Sequence, residues 1–407
     1  MFYTLSKPAL FPTDLQVQLP ASKSISNRAL ILNSLSKSGK TIHNLAKCDD
    51  TDVLLAALRS DGNHFDIGAA GTAMRFLTAY LCLKEGEWIV TGSERMKQRP
   101  IKVLVEALRT LGADVDYLEN EGFPPLKIKG GAMKGGKITI DGSVSSQYIS
   151  ALLMIAPCLQ DGLTLKFQGK VVSKPYIQMT LQMMSQFGIT YQWDDDIIKV
   201  VPQTYTPVDY TVESDWSASS YWYEIALLSG GGTTFTLPKL YRESLQGDAR
   251  VKDIFEPLGV STKFVGNDIQ IVCDKEVVGQ FKYDFSEQPD LAQTVVVTCC
   301  CMDVPFHFSG LQTLKIKETD RIAALMNECK KLGFRWEEPA EGELAWRGVK
   351  IAKSDEPIAT YKDHRMAMSF APAALKVGSI RIDDPMVVSK SYPEYWTAVA
   401  DCLEVMV

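Results

Sequence analysis

The sequence predicts an α/β protein of more than one domain, and three observations carry that expectation. The first is an internal repeat in which a helical apolar pattern ends at a bulky residue and Gly, then gives way to a strand, a polar turn and a second strand. The second is size, since 407 residues at about 150 per domain favour two or three domains. The third is composition. With 46% apolar and 23% charged residues, the chain can bury a sizeable core and has none of the bias of a disordered one.

The clear copies of the repeat are VLVEALRTLGADVDYLENEGFPPLKIKG around Gly112, MTLQMMSQFGITYQWDDDIIKVV around Gly188, VKDIFEPLGVSTKFVGNDIQIV around Gly259 and IAALMNECKKLGFRWEEPAEGELAWRGVKI around Gly333. These glycines are 76, 71 and 74 residues apart, and a fainter copy, LLAALRSDGNHFDIG, places Gly62 in the same role. Gly there is expected to end a helix in the left-handed conformation that other residues avoid. Each unit of strands and helices buries its sheet only by stacking on its neighbours, so five or six units grouped into domains are expected. The stretch VPQTYTPVDYTVESD (201–215), with two prolines and few helix formers, marks a crossover near the middle.

Forty-three Lys and Arg against 49 Asp and Glu leave a net charge of −6 without a long block of one sign. Bulk attraction to nucleic acid or to an anionic membrane is therefore a poor default, and any anionic ligand must meet a local basic cluster. MFYTLSKPALFPTD lacks the pattern of a cleaved leader, and no apolar run approaches the roughly 18 residues of a membrane span, so a cytoplasmic protein is expected. Nine cysteines without a C-x-x-C pair fit a reducing compartment. Cys299, Cys300 and Cys301, adjacent and without nearby partners, read as small apolar core residues rather than a metal site.

Several short segments have the composition of anion or acid–base sites. LPASKSISNRALIL (19–32) sets Lys23, Ser24 and Arg28 at a turn into a helix, where exposed N–H groups suit a phosphate or carboxylate, although an ordinary capped helix start is as good a reading. In DIGAAGTAMRFL (66–77), Gly71 allows close backbone approach and Thr72 is expected to cap the next helix; neither the Walker A nor the dinucleotide pattern is present. Arg95, Lys97 and Arg99 would point the same way from an extended strand. Ser145, Ser146 and Gln147, with Ser173, Lys174 and Tyr176, offer hydroxyl and amide groups for a polyhydroxylated ligand. Asp290 with Gln293 reads as a capping box. Lys317 with Arg321, and Lys315 with Glu318, read as helical surface pairs. Asp363, His364 and Arg365 resemble a base, an orienting group and an anion clamp without a serine nucleophile. Each segment alone is explained as well by ordinary structure.

Their order is not. KSISNR, AAGTAMR, RMKQRPI, DGSVSSQ, VSKPYI, QGDAR, KETDR, DHRMAM and SKSYP together resemble the 5-enolpyruvylshikimate-3-phosphate synthase family along the whole chain. The resemblance implies an inside-out α/β barrel of two domains, each of three βαβαββ units around a pseudo-threefold. Residues 1–20 and 213–407 would form one domain and 21–212 the other, with the active site in the cleft between them. It implies transfer of the enolpyruvyl group of phosphoenolpyruvate to the 5-hydroxyl of shikimate 3-phosphate, with no metal or organic cofactor, no nucleic acid or membrane partner, and a monomer. By the same resemblance, Lys23, Ser24, Arg28, Ser145, Ser146, Gln147, Ser173, Tyr176, Asp290, Thr313 and Lys317 would bind shikimate 3-phosphate. Lys23, Gly71, Thr72, Arg99, Gln147, Arg321, Arg365 and Lys390 would bind phosphoenolpyruvate. Asp290 would accept the hydroxyl proton, Glu318 would deliver and recover a proton at the vinyl carbon, Lys23 would stabilise developing charge and His364 would support the site.

The chain departs from the family pattern at Ala21, where Gly is usual, at Ala69, where Asn is usual, and at Thr313, where Asn or His is usual. Two other readings stay open at this level. One is the sister enolpyruvyl transferase acting on UDP-N-acetylglucosamine, which lacks RMKQRPI and DHRMAM; the other is a binding protein that kept the ligand sites and lost turnover.

Overall fold

The computed structural model describes residues 1–37 and 39–407. The chain divides into two compact units, a first made of Met1–Ala21 with Glu213–Val407 and a second made of Ser22–Val212. The return to the first unit falls inside the proline-bearing stretch 201–215.

The second unit holds α1 (Lys23–Leu35), α2 (Asp49–Arg59), α3 (Gly71–Leu83), α4 (Lys102–Thr110), α5 (Ser146–Ile155) and α6 (Lys174–Gln186). Its two four-stranded sheets are built alike. In one, His64–Asp66 runs parallel to Gly86–Thr91 across α3, and the hairpin Asp114–Tyr117 and Leu126–Gly130 closes back antiparallel after α4. In the other, Gly136–Asp141 runs parallel to Leu163–Gln168 across α5, and Gln192–Asp194 with Ile197–Val200 follows α6. A parallel pair needs a crossover of a dozen or more residues, and a helix supplies it.

The first unit holds α7 (Trp216–Leu228), α8 (Val251–Phe255), α9 (Ala292–Cys301), α10 (Arg321–Lys331) and α11 (His364–Phe370), among shorter turns. The same order recurs: Thr234–Leu237 pairs with the hairpin Val260–Val265 and Asp268–Cys273, and Phe281–Asp284 runs parallel to Phe306–Ser309 across α9. The chain start joins in, since Asp14–Gln16 adds parallel to Thr234–Leu237 and Phe2–Ser6 lies between Ile380–Asp383 and Glu404–Met406. Among the described residues no sheet closes on itself.

Hydrophobic pattern sets which helices lie inside. The α5 segment SQYISALLMI and the α9 segment AQTVVVTCCC are apolar around most of their circumference, and from Tyr148 and Ala292 onward nearly every residue is buried. By contrast α4 buries Leu104, Val105, Ala107 and Leu108 on one face and leaves Lys102 and Glu106 in water. Gly112, Gly188, Gly259 and Gly333 all have positive φ, as the repeat requires, and each lies in the turn that leads to the next strand or bridge. Gly62 does not, and its helix stops earlier, at Arg59. Cys299 and Cys300 are core residues as expected, whereas Cys301 is half-exposed.

Candidate active site

In the second unit, the expected site residues gather at the starts of α1, α3, α5 and α6, where the helix N–H groups and the positive end of each dipole lie. Lys23 opens α1 and pairs with the buried Asp50 carboxylate at 3.2 Å. Arg28, one turn on, is held by neutral groups alone. Its Nε donates to Thr180 Oγ1 at 2.7 Å, and its Nη atoms donate to the Ser24 carbonyl and Ser150 Oγ, both at 3.0 Å, while the guanidinium stacks over Phe76. Burial with no carboxylate beside it pushes Arg28 down to about 10.

The start of α3 lacks a side-chain cap: Ala70 occupies the cap position, and Thr72 lies inside the helix with its hydroxyl accepting from Gln147 Nε2 at 3.1 Å. Thr72 is thus not the cap the sequence suggested. Beside this open end lies Arg99. A Cβ built on Gly71 would sit 2.6 Å from its Nη1, so the absence of a side chain at 71 leaves room for the guanidinium. Arg99 is only 7% exposed, its Nε has no hydrogen-bond partner, and among the described residues it forms no ion pair. The expected alternation of Arg95, Lys97 and Arg99 does not occur, because Met96–Gln98 forms a 3-10 turn. Arg95 faces water, Lys97 pairs with Glu119 at 2.9 Å, and Arg99 alone turns inward. Around the same helix starts, Ser145 caps α5 by accepting from Gln147 N, Ser146 opens that helix, and Ser173 precedes α6 in a left-handed conformation with Tyr176 half-buried behind it.

In the first unit, Arg321 organises a second cluster. It is 2% exposed and donates through Nε to Asp363 at 2.7 Å, through Nη1 to Asp290 at 3.0 Å and through Nη2 to Glu318 at 2.9 Å, with the Gln293 amide oxygen close by. Asp290 also meets Arg365 at 3.0 Å and Lys317 at 3.4 Å, and Glu318 meets Lys390 at 3.0 Å. Burial alone would raise the Asp290 carboxyl, but Arg365, Lys317 and Arg321 together hold it well below the usual carboxylate range. Asp363 caps α11 by accepting from Arg365 N at 2.9 Å, and His364 Nδ1 lies 3.6 Å from the same carboxylate. Thr313 Oγ1 is buried without a hydrogen-bond partner.

Two expectations about this cluster are corrected. Asp290 does not form a capping box: the position before α9 is Leu291, and the Asp290 carboxylate is drawn to the guanidinium groups instead. Lys315 pairs with Glu338 rather than Glu318, and residues 317–320 lie outside any helix. Asp50, Asp363 and Gln293 were not recognised as companions of Lys23 and Arg321. Only folding brings them together, although the run Asp49, Asp50, Asp52 at a helix start was a visible signal. A further buried carboxyl, Asp248, accepts from Ser217 Oγ; burial and the nearby Asp290 charge raise it to about 6.

A family model described as EPSP synthase (3-phosphoshikimate 1-carboxyvinyltransferase) matches residues 12–64 and 60–399. A 3-phosphoshikimate 1-carboxyvinyltransferase of Bacteroides fragilis is 53% identical over 398 residues, covering 97% of this chain and 96% of that protein. One from Aliivibrio salmonicida is 38% identical over 413 residues, covering 94% and 95%. The solved EPSP synthase of Acinetobacter baumannii superposes with a TM-score of 0.80 over the full length of both chains at 19% identity, a likeness of fold. The chain belongs to the EPSP synthase family.

Proposed function

We propose that the chain transfers the enolpyruvyl group of phosphoenolpyruvate to the 5-hydroxyl of shikimate 3-phosphate, giving 5-enolpyruvylshikimate 3-phosphate and phosphate. The observation that carries this reading is the joint grip of Arg321 on Asp290 and Glu318, two carboxylates suited to proton transfer within a cluster of cations. Each substrate brings a phosphate and a carboxylate, so buried cations must hold several negative charges close together. Arg99 beside the open start of α3, with Arg321, Arg365, Lys390 and Lys23, is suited to phosphoenolpyruvate. Arg28, Lys317, Tyr176, Thr313 and the serines at 24, 145, 146 and 173 are suited to the phosphorylated cyclohexene alcohol, with Gln147 shared.

In the addition step, Glu318 in its acid form gives a proton to the methylene carbon of phosphoenolpyruvate, while the 5-hydroxyl oxygen bonds to the neighbouring carbon and Asp290 takes the hydroxyl proton. Lys23 steadies the charge of the tetrahedral intermediate, and His364 braces Asp363. In the elimination step, the Glu318 carboxylate takes the proton back from the methyl group, and the bond to the phosphate oxygen breaks. We read the two units as the two domains of an inside-out α/β barrel, each with three βαβαββ repeats around a pseudo-threefold. We propose a cytoplasmic monomer; among the described residues, no helix is long and apolar enough to cross a membrane. Phosphate release on mixing the protein with both substrates, and with neither alone, is the expected result; no release would overturn the assignment.

A further inference from the structure

Arg75 lies one turn into α3 and is 3% exposed. Its Nη1 donates to the Gly71 carbonyl at 3.2 Å and toward Met96 Sδ at 3.3 Å, and its Nη2 donates to the Pro100 carbonyl at 3.0 Å. Tyr148, on α5, donates its hydroxyl to the same Pro100 carbonyl and presents its ring to the Arg75 guanidinium at 5.8 Å. Two helices therefore fasten one peptide carbonyl from different directions. That carbonyl belongs to the residue directly after Arg99, and Arg75 also donates to the carbonyl of Gly71, whose bare Cα gives the Arg99 guanidinium its place. Among the described residues the Arg99 side chain has no ion pair, and its Nε is unpartnered, which leaves the backbone that carries it to set its position. That backbone is pinned by Arg99 N to Met96 O at 3.0 Å and by Ile101 N to Gly122 O at 2.8 Å.

We propose that Arg75 and Tyr148 are positioning residues that set the Arg99 guanidinium against the start of α3, and so govern affinity for the enolpyruvyl donor without touching it. The proposal rests on the reading above that Arg99 binds phosphoenolpyruvate. A purely structural role would lower stability and weaken both substrates alike, or neither. A positioning role falls on one substrate and disappears once Arg99 is gone.

The test compares steady-state kinetics and thermal midpoints of Tyr148→Phe, which keeps the ring and removes only the hydroxyl, and Arg75→Lys, which keeps a charge but cannot span both carbonyls. Expected is a rise in the KM for phosphoenolpyruvate of about 2- to 10-fold in Tyr148→Phe, the scale of one lost hydrogen bond, and a larger rise in Arg75→Lys, with the KM for shikimate 3-phosphate within about twofold of wild type. In an Arg99→Ala background, Tyr148→Phe should produce no further rise. If Arg75→Lys fails to fold, the Tyr148→Phe comparison decides. An unchanged phosphoenolpyruvate KM in Tyr148→Phe, an equal rise for both substrates, or a full additional rise in the Arg99→Ala background overturns the proposal. If Arg99→Ala itself leaves that KM unchanged, the assignment of Arg99 falls, and the positioning role falls with it.

Discussion

Arg321 Nε donates to the Asp363 carboxylate at 2.7 Å, with Asp363 fully buried and Arg321 nearly so. Asp363 also accepts from Arg365 N at the start of α11, so one carboxylate fixes two of the cations of the first unit. Breaking a buried pair leaves a charge that the low-dielectric interior cannot solvate. Asp363→Ala should therefore cost about 3–5 kcal/mol of stability, read as a lower urea midpoint. An unchanged midpoint would mean that Asp290 and Glu318 hold Arg321 by themselves.

The same cations act on Asp290, the proposed base, and through it on the acid limit of activity. Asp290 is held well below the usual carboxylate range because Arg365, Lys317 and Arg321 outweigh its burial. As the proposed base it must be ionised, so the limb of kcat/KM that it governs lies at acid pH. Lys317→Met removes one of the three cations, which raises the Asp290 pKa. The limb should then move to higher pH, since a partly exposed cation that favoured the ionised carboxylate is gone. A pH profile superimposable on wild type would show that the two arginines alone set the value.

Gly71→Ala probes the other unit. The added methyl would lie 2.6 Å from Arg99 Nη1 and 2.9 Å from Nη2, closer than Cβ contacts allow, and the end of the flexible arginine must yield. The backbone there is helical and accepts Ala, so stability should hold or rise slightly. The KM for phosphoenolpyruvate should increase about tenfold while that for shikimate 3-phosphate stays within about twofold, the equivalent of roughly 1.4 kcal/mol on one substrate. Equal affinity for phosphoenolpyruvate in the two proteins would place its anion away from Arg99.

The repeat was legible because it is local: a left-handed Gly at 112, 188, 259 and 333 is a demand of one backbone position, and the alternating strands follow within a few residues. The ordered motifs likewise named most of the residues that line the two clusters. Spacing failed wherever a short irregular turn intervened, as at Met96–Gln98, which rotates Arg99 inward and leaves Arg95 in water. It failed again at 317–320, where the absence of a helix frees Glu318 to meet Arg321 and Lys390 rather than Lys315. Counter-charges were illegible for a different reason. Asp50 beside Lys23 and Asp363 beside Arg321 are tertiary pairs; the acidic run at 49–52 marks Asp50, but nothing local records which cation either carboxylate meets.

Glu224 raises a question of stability away from the site. It sits on α7 with no exposed surface, neither carboxylate oxygen has a hydrogen-bond partner, and burial pushes its pKa well above that of a free glutamate. Thr298 is adjacent, but its hydroxyl hydrogen goes to the Thr294 carbonyl at 2.7 Å, which leaves a lone pair suited to a protonated carboxyl rather than a donor for a charged one. Burial therefore favours the neutral form of Glu224 in the folded protein at pH values where the unfolded chain ionises it. A raised folded pKa means that its contribution is fully present below the unfolded value, near 4.5, and is lost as pH rises toward the folded value. Each pH unit in that window costs about 1.4 kcal/mol. Glu224→Gln has no proton to lose, so any packing penalty it carries is the same at every pH. Measured by urea unfolding at pH 5, 6 and 7, the stability of the variant relative to wild type should improve by about 1 kcal/mol or more per unit. A difference that stays constant across those three values would show that Glu224 is already ionised in the folded protein, with a counter-charge drawn to it inside the core.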